Sequence, residues 1–465
     1  MTAGRKGRAA ASPRRKLVLP IVILGILLLV AYALVPTNGA RLEAAQPPTV
    51  ATPSGTKSFP GAVGWGASSV GGRGGRIIYV TTLADSGTGS YRACVTATGP
   101  RICVFRVAGV IRFTTTPPII EEPYLTIAGQ TAPGSGIVLA HAGAPAGRTP
   151  LVIKNTHDVV VRNIRIRADL PGGSRGSEDS ITIEHATRVL VDHVSASWAR
   201  DELINGYADN DYITVSNSIF AWGTPPHDKC ALLASDPVDA QHFSFINNLC
   251  AHNGDRMPDV NFPPKSCLEV VDNVFYNAQS RFAEVWELFG GTPVSFVGNS
   301  FIGGPNTTNL TVGIARDTST SKGGAAIIYA WDNRFAGAFQ DMNQEAEQAL
   351  VNKPPCALTI NPLSAANAYT LVLQKSGAFP RDAIDNQAVY DVEHGSGRIG
   401  QPAPVMPAQT AGQPYPDADK DGMDDNWEVS VGANPKVPDA WADANKNGVP
   451  NFEEFLAYRN KVLGL

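Results

Sequence analysis

Seven short segments between residues 159 and 337 share one pattern of apolar and polar positions. In each segment apolar residues alternate with other residues before a polar residue is reached, as in "VVVRNIRIR", "ITVSNSIFA" and "VSFVGNSFI". Alternation with a period of two predicts β-strands, and a unit that recurs every ~20–50 residues predicts a stacked repeat. The polar residues that align are Asn163, His193, Asn217, Asn248, Asn273, Asn299 and Asn333, spaced 24 to 34 residues apart.

This repeat predicts an all-β fold, a right-handed parallel β-helix in which strands of successive coils stack on one another. Asparagine tolerates left-handed backbone geometry at a bend, and we expect asparagines of neighbouring coils to bond to one another as a ladder. We assign His193 a structural role because it occupies a ladder position. A two-sheet sandwich is the alternative, but it predicts hairpin turns such as Asn-Gly between the repeat strands, and these are scarce.

The composition fits an exported, turn-rich β protein. The chain has 465 residues with 45 glycines, 35 prolines and 17% charged residues, and its 43% hydrophobic residues can bury a sizeable core. Its net charge is −4, and the part beyond residue 16 is more acidic, because six basic residues precede that point. Nucleic acid is therefore excluded as a partner, and an anionic ligand would need local arginines, lysines or metal ions.

The N-terminus carries an export signal. A basic, acid-free segment precedes an apolar run over residues 17–35, which is about long enough to span a bilayer. Residues 1–45 are therefore predicted to be a cleaved signal peptide or an uncleaved membrane anchor, so the rest works outside the cytoplasm. Six cysteines fit disulfides there. Cys94 and Cys103 are close enough for a local pair, and the pairing of the other four is left open.

Two loops near the C-terminus have the spacing of EF-hand calcium loops. Residues 400–416 form a linker rich in proline and glycine, and "DADKDGMDDNWE" and "DANKNGVPNFEE" follow within residues 417–465. Oxygen ligands at these positions, with glycine at the sixth, suit Ca²⁺. The module resembles dockerin-like and thrombospondin-type-3-like repeats. The predicted ligands are Asp417, Asp419, Asp421, Asp425 and Glu428 in the first loop, and Asp443, Asn445, Asn447, Asn451 and Glu454 in the second.

The motifs "FPGAVGWGA", "TTLADSGTGSYR", "LTIAGQTAPGSGI" and "VDHVSASWARDE" resemble the secreted pectate lyases of the polysaccharide lyase family 1 type. The resemblance covers about residues 59–340. It implies a parallel β-helix domain, which we bound at 59–399 after a linker at 46–58, with a calcium-dependent site on its outer face.

The resemblance also implies the site residues. It places calcium ligands at Asp179 and Asp201, with Glu202 as a neighbouring acid that can compensate for a missing ligand. It places a lysine that binds the substrate carboxylate at Lys229. It places the arginine that removes the substrate proton at Arg256, within "DRMPDVN".

Three positions depart from the family pattern. Asn261 stands where the family has a second, substrate-binding arginine, and we keep it as a substrate-binding candidate. Ser177 and Ser197 stand where the family has further acidic positions. Trp198, within "VDHVSASWARDE", is assigned either to the core or to substrate stacking.

These residues imply β-elimination on pectate or a related polyuronate. Calcium would neutralise the carboxylate next to the reacting carbon, Lys229 would add positive charge, and Arg256 would take the proton. Arginine is normally always charged, so nearby calcium and lysine charges must lower its pKa, and activity should rise above neutral pH.

Two other functions compete with the lyase. A β-helix glycoside hydrolase would need two carboxylates, for which Asp201, Asp228 and Asp255 are the candidates. A non-catalytic, surface-anchored β-helix could bind polysaccharide without cleaving it. In each case the expected partner is an anionic polysaccharide, and the protein is expected to be a monomer.

Overall fold

The computed structural model describes residues 45–51, 56–145, 147–172, 178–319 and 321–465. Within these ranges all paired strands are parallel, and the chain visits three sheets in turn on each of about nine coils. The predicted parallel β-helix is therefore confirmed. The sandwich alternative is wrong, because from β2 onwards consecutive strands lie in different sheets and each strand pairs with strands of neighbouring coils. Strands and helices are numbered in chain order.

Each sheet takes one strand per coil. Sheet 1 has eleven strands: β1 (Arg76–Val80), β2 (Arg101–Phe105), β5 (Leu125–Ala128), β8 (His157–Arg162), β11 (Thr187–Asp192), β14 (Asp211–Ser216), β17 (His242–Ile246), β20 (Cys267–Val271), β23 (Pro293–Val297), β26 (Ile327–Trp331) and β29 (Leu350–Val351). Sheet 2 has nine: β4 (Ile119–Ile120), β7 (Leu151–Lys154), β10 (Ile181–Glu184), β13 (Glu202–Tyr207), β16 (Lys229–Ser235), β19 (Asp259–Val260), β22 (Arg281–Trp286), β25 (Val312–Asp317) and β28 (Gln340–Met342). Sheet 3 has nine: β3 (Gly109–Phe113), β6 (Ile137–His141), β9 (Arg165–Arg167), β12 (Ser195–Ser197), β15 (Ile219–Ala221), β18 (Leu249–Ala251), β21 (Val274–Tyr276), β24 (Ser300–Ile302) and β27 (Arg334–Ala336).

The asparagine ladder exists, but it is shorter than predicted. Asn248 donates from Nδ2 to Asn273 Oδ1 at 3.2 Å, Asn273 to Asn299 at 3.0 Å, and Asn299 to Asn333 at 3.0 Å. In earlier coils Ser218 takes the ladder position and donates its backbone N–H to Asn248 Oδ1. The ladder thus holds four asparagines among the described residues.

The remaining aligned residues lie one position earlier, at the bend itself. Asn163, His193 and Asn217 have φ values of 54°, 52° and 49°, the left-handed region that asparagine tolerates better than most residues. The sequence pattern does not separate the asparagine ladder from the neighbouring stack of bend residues, because both positions favour small polar residues. His193 lies in the second stack, where its Nδ1 is 2.8 Å from Asp192 Oδ2.

The described residues also form six α-helices: α1 (Tyr91–Val95), α2 (Gln344–Glu347), α3 (Ala365–Lys375), α4 (Ala383–His394), α5 (Asp425–Val431) and α6 (Asn451–Leu463). The sequence analysis did not predict α3 and α4. They begin at capping residues, Ser364 and Asp382, whose side chains accept backbone N–H bonds.

Helices α3 and α4 cover the outer face of sheet 3. Their apolar residues pack against side chains that leave the sheet outward, including Trp198 and Trp222. Trp198 is only 1% exposed, so it belongs to the core and is not available for stacking on a substrate. Sheet 3 is therefore closed to ligands along this face, whereas the outer face of sheet 2 collects charged residues.

Three disulfides form: Cys94–Cys103, as predicted, Cys230–Cys250 and Cys267–Cys356. They fit an oxidising compartment. No helix within the described ranges is long and apolar enough to cross a membrane. The predicted export segment at residues 17–35 lies outside those ranges.

Candidate active site and calcium sites

Parallel register brings charged residues from four successive coils together on sheet 2. Glu202 pairs in register with Lys229, and Lys229 forms a bridge with Asp255 on the next coil. One coil further, Asp259 pairs with Glu284. Residues 25 to 27 apart in sequence thereby become neighbours about 4.8 Å apart along the solenoid.

Three carboxylates converge at one end of this face. One oxygen from each of Asp179, Asp201 and Glu202 lies within 4.8 Å of the others. Asp179 is held in place by hydrogen bonds from Thr182 Oγ1 at 2.7 Å and from the backbone N–H of Glu202 at 3.2 Å. We call Asp179, Asp201 and Glu202 the carboxylate cluster. The structure thus unites three residues that the sequence analysis assigned to calcium.

The electrostatics of the carboxylate cluster favour a cation. Burial raises the pKa of Asp179 to about 7, with repulsion from Asp201 adding to it. Burial and the charge of Asp179 raise the pKa of Glu202 to about 9. A hard, oxygen-seeking cation would stabilise these buried carboxylates, and the all-oxygen donor set fits Ca²⁺.

Arg256 lies against the carboxylate cluster. Its Nη1 forms an ion pair with Glu202 Oε1, and its Nε is 3.5 Å from Asp259 Oδ2. The backbone of Arg256 is left-handed, with φ of 56°, and its side chain is 25% exposed. The guanidinium is therefore held between Glu202 of the carboxylate cluster and Asp259 on its own coil, with one side open to solvent.

The charge environment of Arg256 differs from the sequence-based expectation. Burial alone would lower its pKa, but the carboxylates of Glu202 and Asp259 outweigh burial and raise it. We expected neighbouring cations to lower this pKa. Lys229, the nearest lysine in the register, is instead neutralised by Asp255, with 2.6 Å between Nζ and Oδ1.

Arg281 was not predicted from the sequence as a residue of this site. It lies three residues before Glu284, just as Arg256 lies three residues before Asp259 on the preceding coil, and Asp259 pairs with Glu284. Its Nη1 is 3.3 Å from Asp317 Oδ2, and its side chain is 38% exposed. The repeated Arg-x-x-acid spacing, 25 residues apart, could have revealed it.

The departures from the family pattern lie in different places. Asn261 is buried just after β19, and its Oδ1 has no hydrogen-bond partner among the described residues. Ser197 is fully buried and accepts a bond from Arg167 at 3.3 Å, in the layer between sheet 3 and the helices. Ser197 is thus away from the carboxylate cluster. Ser177 lies outside the described residues.

The first C-terminal loop forms two overlapping carboxylate groups. Asp417, Asp419 and Asp421 make one, and Asp421, Glu428 and Asp439 make the other, each with oxygens within 4.8 Å. Asp439 was not predicted, because it lies outside the EF-hand spacing. Asp425, a predicted ligand, instead accepts the backbone N–H of Ala418 at 2.8 Å.

The second C-terminal loop satisfies its own polar groups. Glu454 Oε1 accepts from the side-chain amides of Asn445 and Asn447 at 2.8 and 2.6 Å. Asp443 accepts backbone N–H bonds from within the loop. Asn451 Oδ1 accepts the N–H of Ala444 at 3.1 Å, the same position that Asp425 fills in the first loop.

The stacked parallel coils, with a carboxylate cluster and an arginine on one open face, define a parallel β-helix protein with a candidate metal-assisted active site. The sequence profile of a family described as pectate lyase matches residues 16–262 of this chain. The chain belongs to the pectate lyase family.

Individual relatives agree with this assignment. A probable pectate lyase C from Neosartorya fischeri is 35% identical over 407 residues, covering 82% of this chain and 89% of that protein. A probable pectate lyase C from Aspergillus flavus is 33% identical over 405 residues, with 82% and 89% covered. Among solved structures, jun a 1, the major allergen from cedar pollen, matches with a TM-score of 0.50 at 19% identity, covering 68% of this chain and 92% of that one. That likeness concerns the fold alone.

Proposed function

We propose that the protein is an exported, calcium-dependent lyase that cleaves pectate or a related polyuronate by β-elimination. The observation that carries this proposal is the contact of the Arg256 guanidinium with Glu202 of the carboxylate cluster, on a face where Lys229 is the next residue in register. A base, a cation site and a carboxylate-binding lysine then lie within reach of one sugar unit. Family membership supports the reaction class.

In the proposed reaction, Asp179, Asp201 and Glu202 hold Ca²⁺, which when bound supplies positive charge to the carboxylate of the substrate. Lys229 exchanges its ion pair with Asp255 for that same carboxylate. Arg256 takes the proton from C5, the C4–O bond breaks, and a C4–C5 double bond forms. The departing glycosidic oxygen gains a proton from solvent and Arg256 returns its proton to solvent, so no water is consumed. Arg256 can accept the proton only as the neutral guanidine, so in this proposal it first releases its ion pair with Glu202, whose carboxylate would then be free to hold the cation.

The direct test follows the unsaturated product by ultraviolet absorbance. The protein is mixed with polygalacturonate at alkaline pH, first with calcium and then with chelator. We expect absorbance to grow with calcium and to stop on chelation. Tight binding of polygalacturonate without any absorbance, from folded protein, would instead favour the non-catalytic polysaccharide-binding β-helix.

We propose that Arg281 takes the role of the family's second, substrate-binding arginine, whose position is occupied by Asn261 in this chain. Arg281 lies one coil from Arg256 in sheet 2, and its guanidinium is more exposed than that of Arg256. An extended polyuronate that runs across the coils would place its next carboxylate near this residue.

For Arg281→Ala we therefore expect KM for polygalacturonate to rise about tenfold while kcat changes less than about threefold, since one charge-assisted contact is worth ~1.5–3 kcal/mol. Steady-state kinetics measure both constants, and Asn261→Ala is the comparison. An unchanged KM in Arg281→Ala, or a large loss of kcat alone, would contradict the substrate-binding role.

The larger segments of the chain also have proposed roles. Residues 1–45 are proposed to direct export as a signal peptide or anchor, and 59–399 to be the lyase domain of a monomer. Residues 417–465 are proposed to bind calcium as an EF-hand-like module that resembles dockerin-like and thrombospondin-type-3-like repeats.

A further inference from the structure

Several carboxylate oxygens of the first C-terminal loop have no hydrogen-bond partner among the described residues, although Arg106 Nη1 lies 3.8 Å from Asp417 Oδ2. Glu428 is fully buried, yet neither Oε1 nor Oε2 has a hydrogen-bond partner among the described residues. The same holds for both carboxylate oxygens of Asp419 and for Oδ1 of Asp417. A buried, unpaired carboxylate is costly unless a cation compensates for it.

Asp439 completes this group from outside the loop. Its carboxylate lies within 4.8 Å of those of Asp421 and Glu428. Its backbone N–H donates to Asp421 Oδ2 at 3.0 Å, which fixes the connecting segment against the loop. Five carboxylates therefore surround one region. The second loop has two acids at ligand positions, Asp443 and Glu454, and both accept N–H bonds from within the loop.

The same loop is fastened to the solenoid. Tyr79, on β1, donates its hydroxyl to Asp417 Oδ2 at 2.6 Å. Met423 and Trp427, at the end of the loop and in α5, pack with Ile102 and Val104 of β2 in one apolar cluster. Ordering the loop therefore also orders the face that covers β1 and β2.

We propose that Asp417, Asp419, Asp421, Glu428 and Asp439 form one calcium site that clamps α5 and α6 onto the outer face of β1 and β2. The module is then a structural part of the solenoid, and not a tethered adhesive domain. The second loop is a weaker site, because fewer charged ligands lower calcium affinity. This inference rests on the proposed calcium binding by the C-terminal module and adds the ligand Asp439 and the attachment to the solenoid.

The test compares Glu428→Gln and Asp439→Asn with Glu454→Gln, a matched change in the second loop. The full chain, stripped by chelator, is titrated with calcium by calorimetry, and hydrogen–deuterium exchange is followed in peptides that cover residues 76–80 and 415–431. In the unmodified chain and in Glu454→Gln, calcium should slow exchange in both regions. Glu428→Gln should abolish that protection, and Asp439→Asn should weaken binding at this site about tenfold or more.

The outcomes distinguish a failure of calcium binding by the module from a failure of the proposed clamp onto the solenoid. If calcium leaves exchange at residues 415–431 unchanged in the unmodified chain, the calcium module itself is wrong. If calcium protects 415–431 but not 76–80, or if Asp439→Asn binds as tightly as the unmodified chain, the clamp is wrong and the module stands. Glu428→Gln removes only a buried charge, so we expect it to fold without calcium at least as stably as the unmodified chain, and a thermal unfolding curve checks this.

Discussion

Arg256→Ala is expected to lower kcat on polygalacturonate about 1,000-fold. General-base catalysis contributes ~10²–10⁴-fold, and among the described residues no second arginine contacts the carboxylate cluster at Glu202. KM should change little, because the proton-abstracting contact matters in the transition state more than in the bound substrate. Initial rates from ultraviolet absorbance, at saturating calcium and alkaline pH, measure the effect.

Arg188→Ala is the control for this substitution. Arg188 also forms an ion pair with a buried aspartate, Asp158, at 2.7 Å, but it lies on sheet 1. It should retain full activity. If Arg256→Ala kept more than about a tenth of kcat while calcium binding was intact, Arg256 would not be the base.

Asp179→Asn is expected to weaken calcium binding at the carboxylate cluster about 100-fold. Asp179 is one of three carboxylates there and the most strongly held by hydrogen bonds, and changes to groups that only support a metal ligand already cost ~10–100-fold. Calorimetric titration should lose one class of site, and activity at low calcium should fall in parallel. Asp341→Asn, an exposed aspartate on β28 of the same sheet, is the control and should bind as the unmodified chain does.

The affinity of the carboxylate cluster should also depend on pH. The pKa values of Asp179 and Glu202 are raised to about 7 and about 9. Only the deprotonated carboxylates bind the cation, so protons compete with calcium below those values and affinity should increase as the pH rises from 6 to 9. Proton release on binding, measured in buffers of different ionisation enthalpy, checks the sign. Equal affinity at pH 6 and pH 9 would mean that these acids are not the ligands.

The sequence predicted the solenoid well because its signal is repeated. One alternating strand is weak, but seven in a row with polar bends restrict the fold to stacked coils. The predicted ladder was wrong by one position at Asn163, His193 and Asn217, because the bend and the ladder are adjacent and favour the same residue types. Helices α3 and α4 were not predicted, because they follow the last coil, where the strand repeat gives no information.

The site was predictable only where a motif or loop spacing marks it. Asp179, Asp201, Glu202 and Arg256 lie close together in the structure. Arg281 and Asp439 lie outside any motif, and only parallel register or tertiary folding brings them to their sites. The charge state of Arg256 depends on which carboxylate lies nearest, and the linear sequence does not contain that information.

The chemical form of the product tests most directly whether this chain cleaves a polyuronate by elimination. Polygalacturonate is digested with the protein and calcium in ¹⁸O-labelled water, and the oligomers are analysed by mass spectrometry. We predict new non-reducing ends that carry a 4,5-unsaturated uronate, each lighter by one water than a hydrolysis product and free of label. Saturated oligomers that carry the label would contradict elimination and identify a glycoside hydrolase.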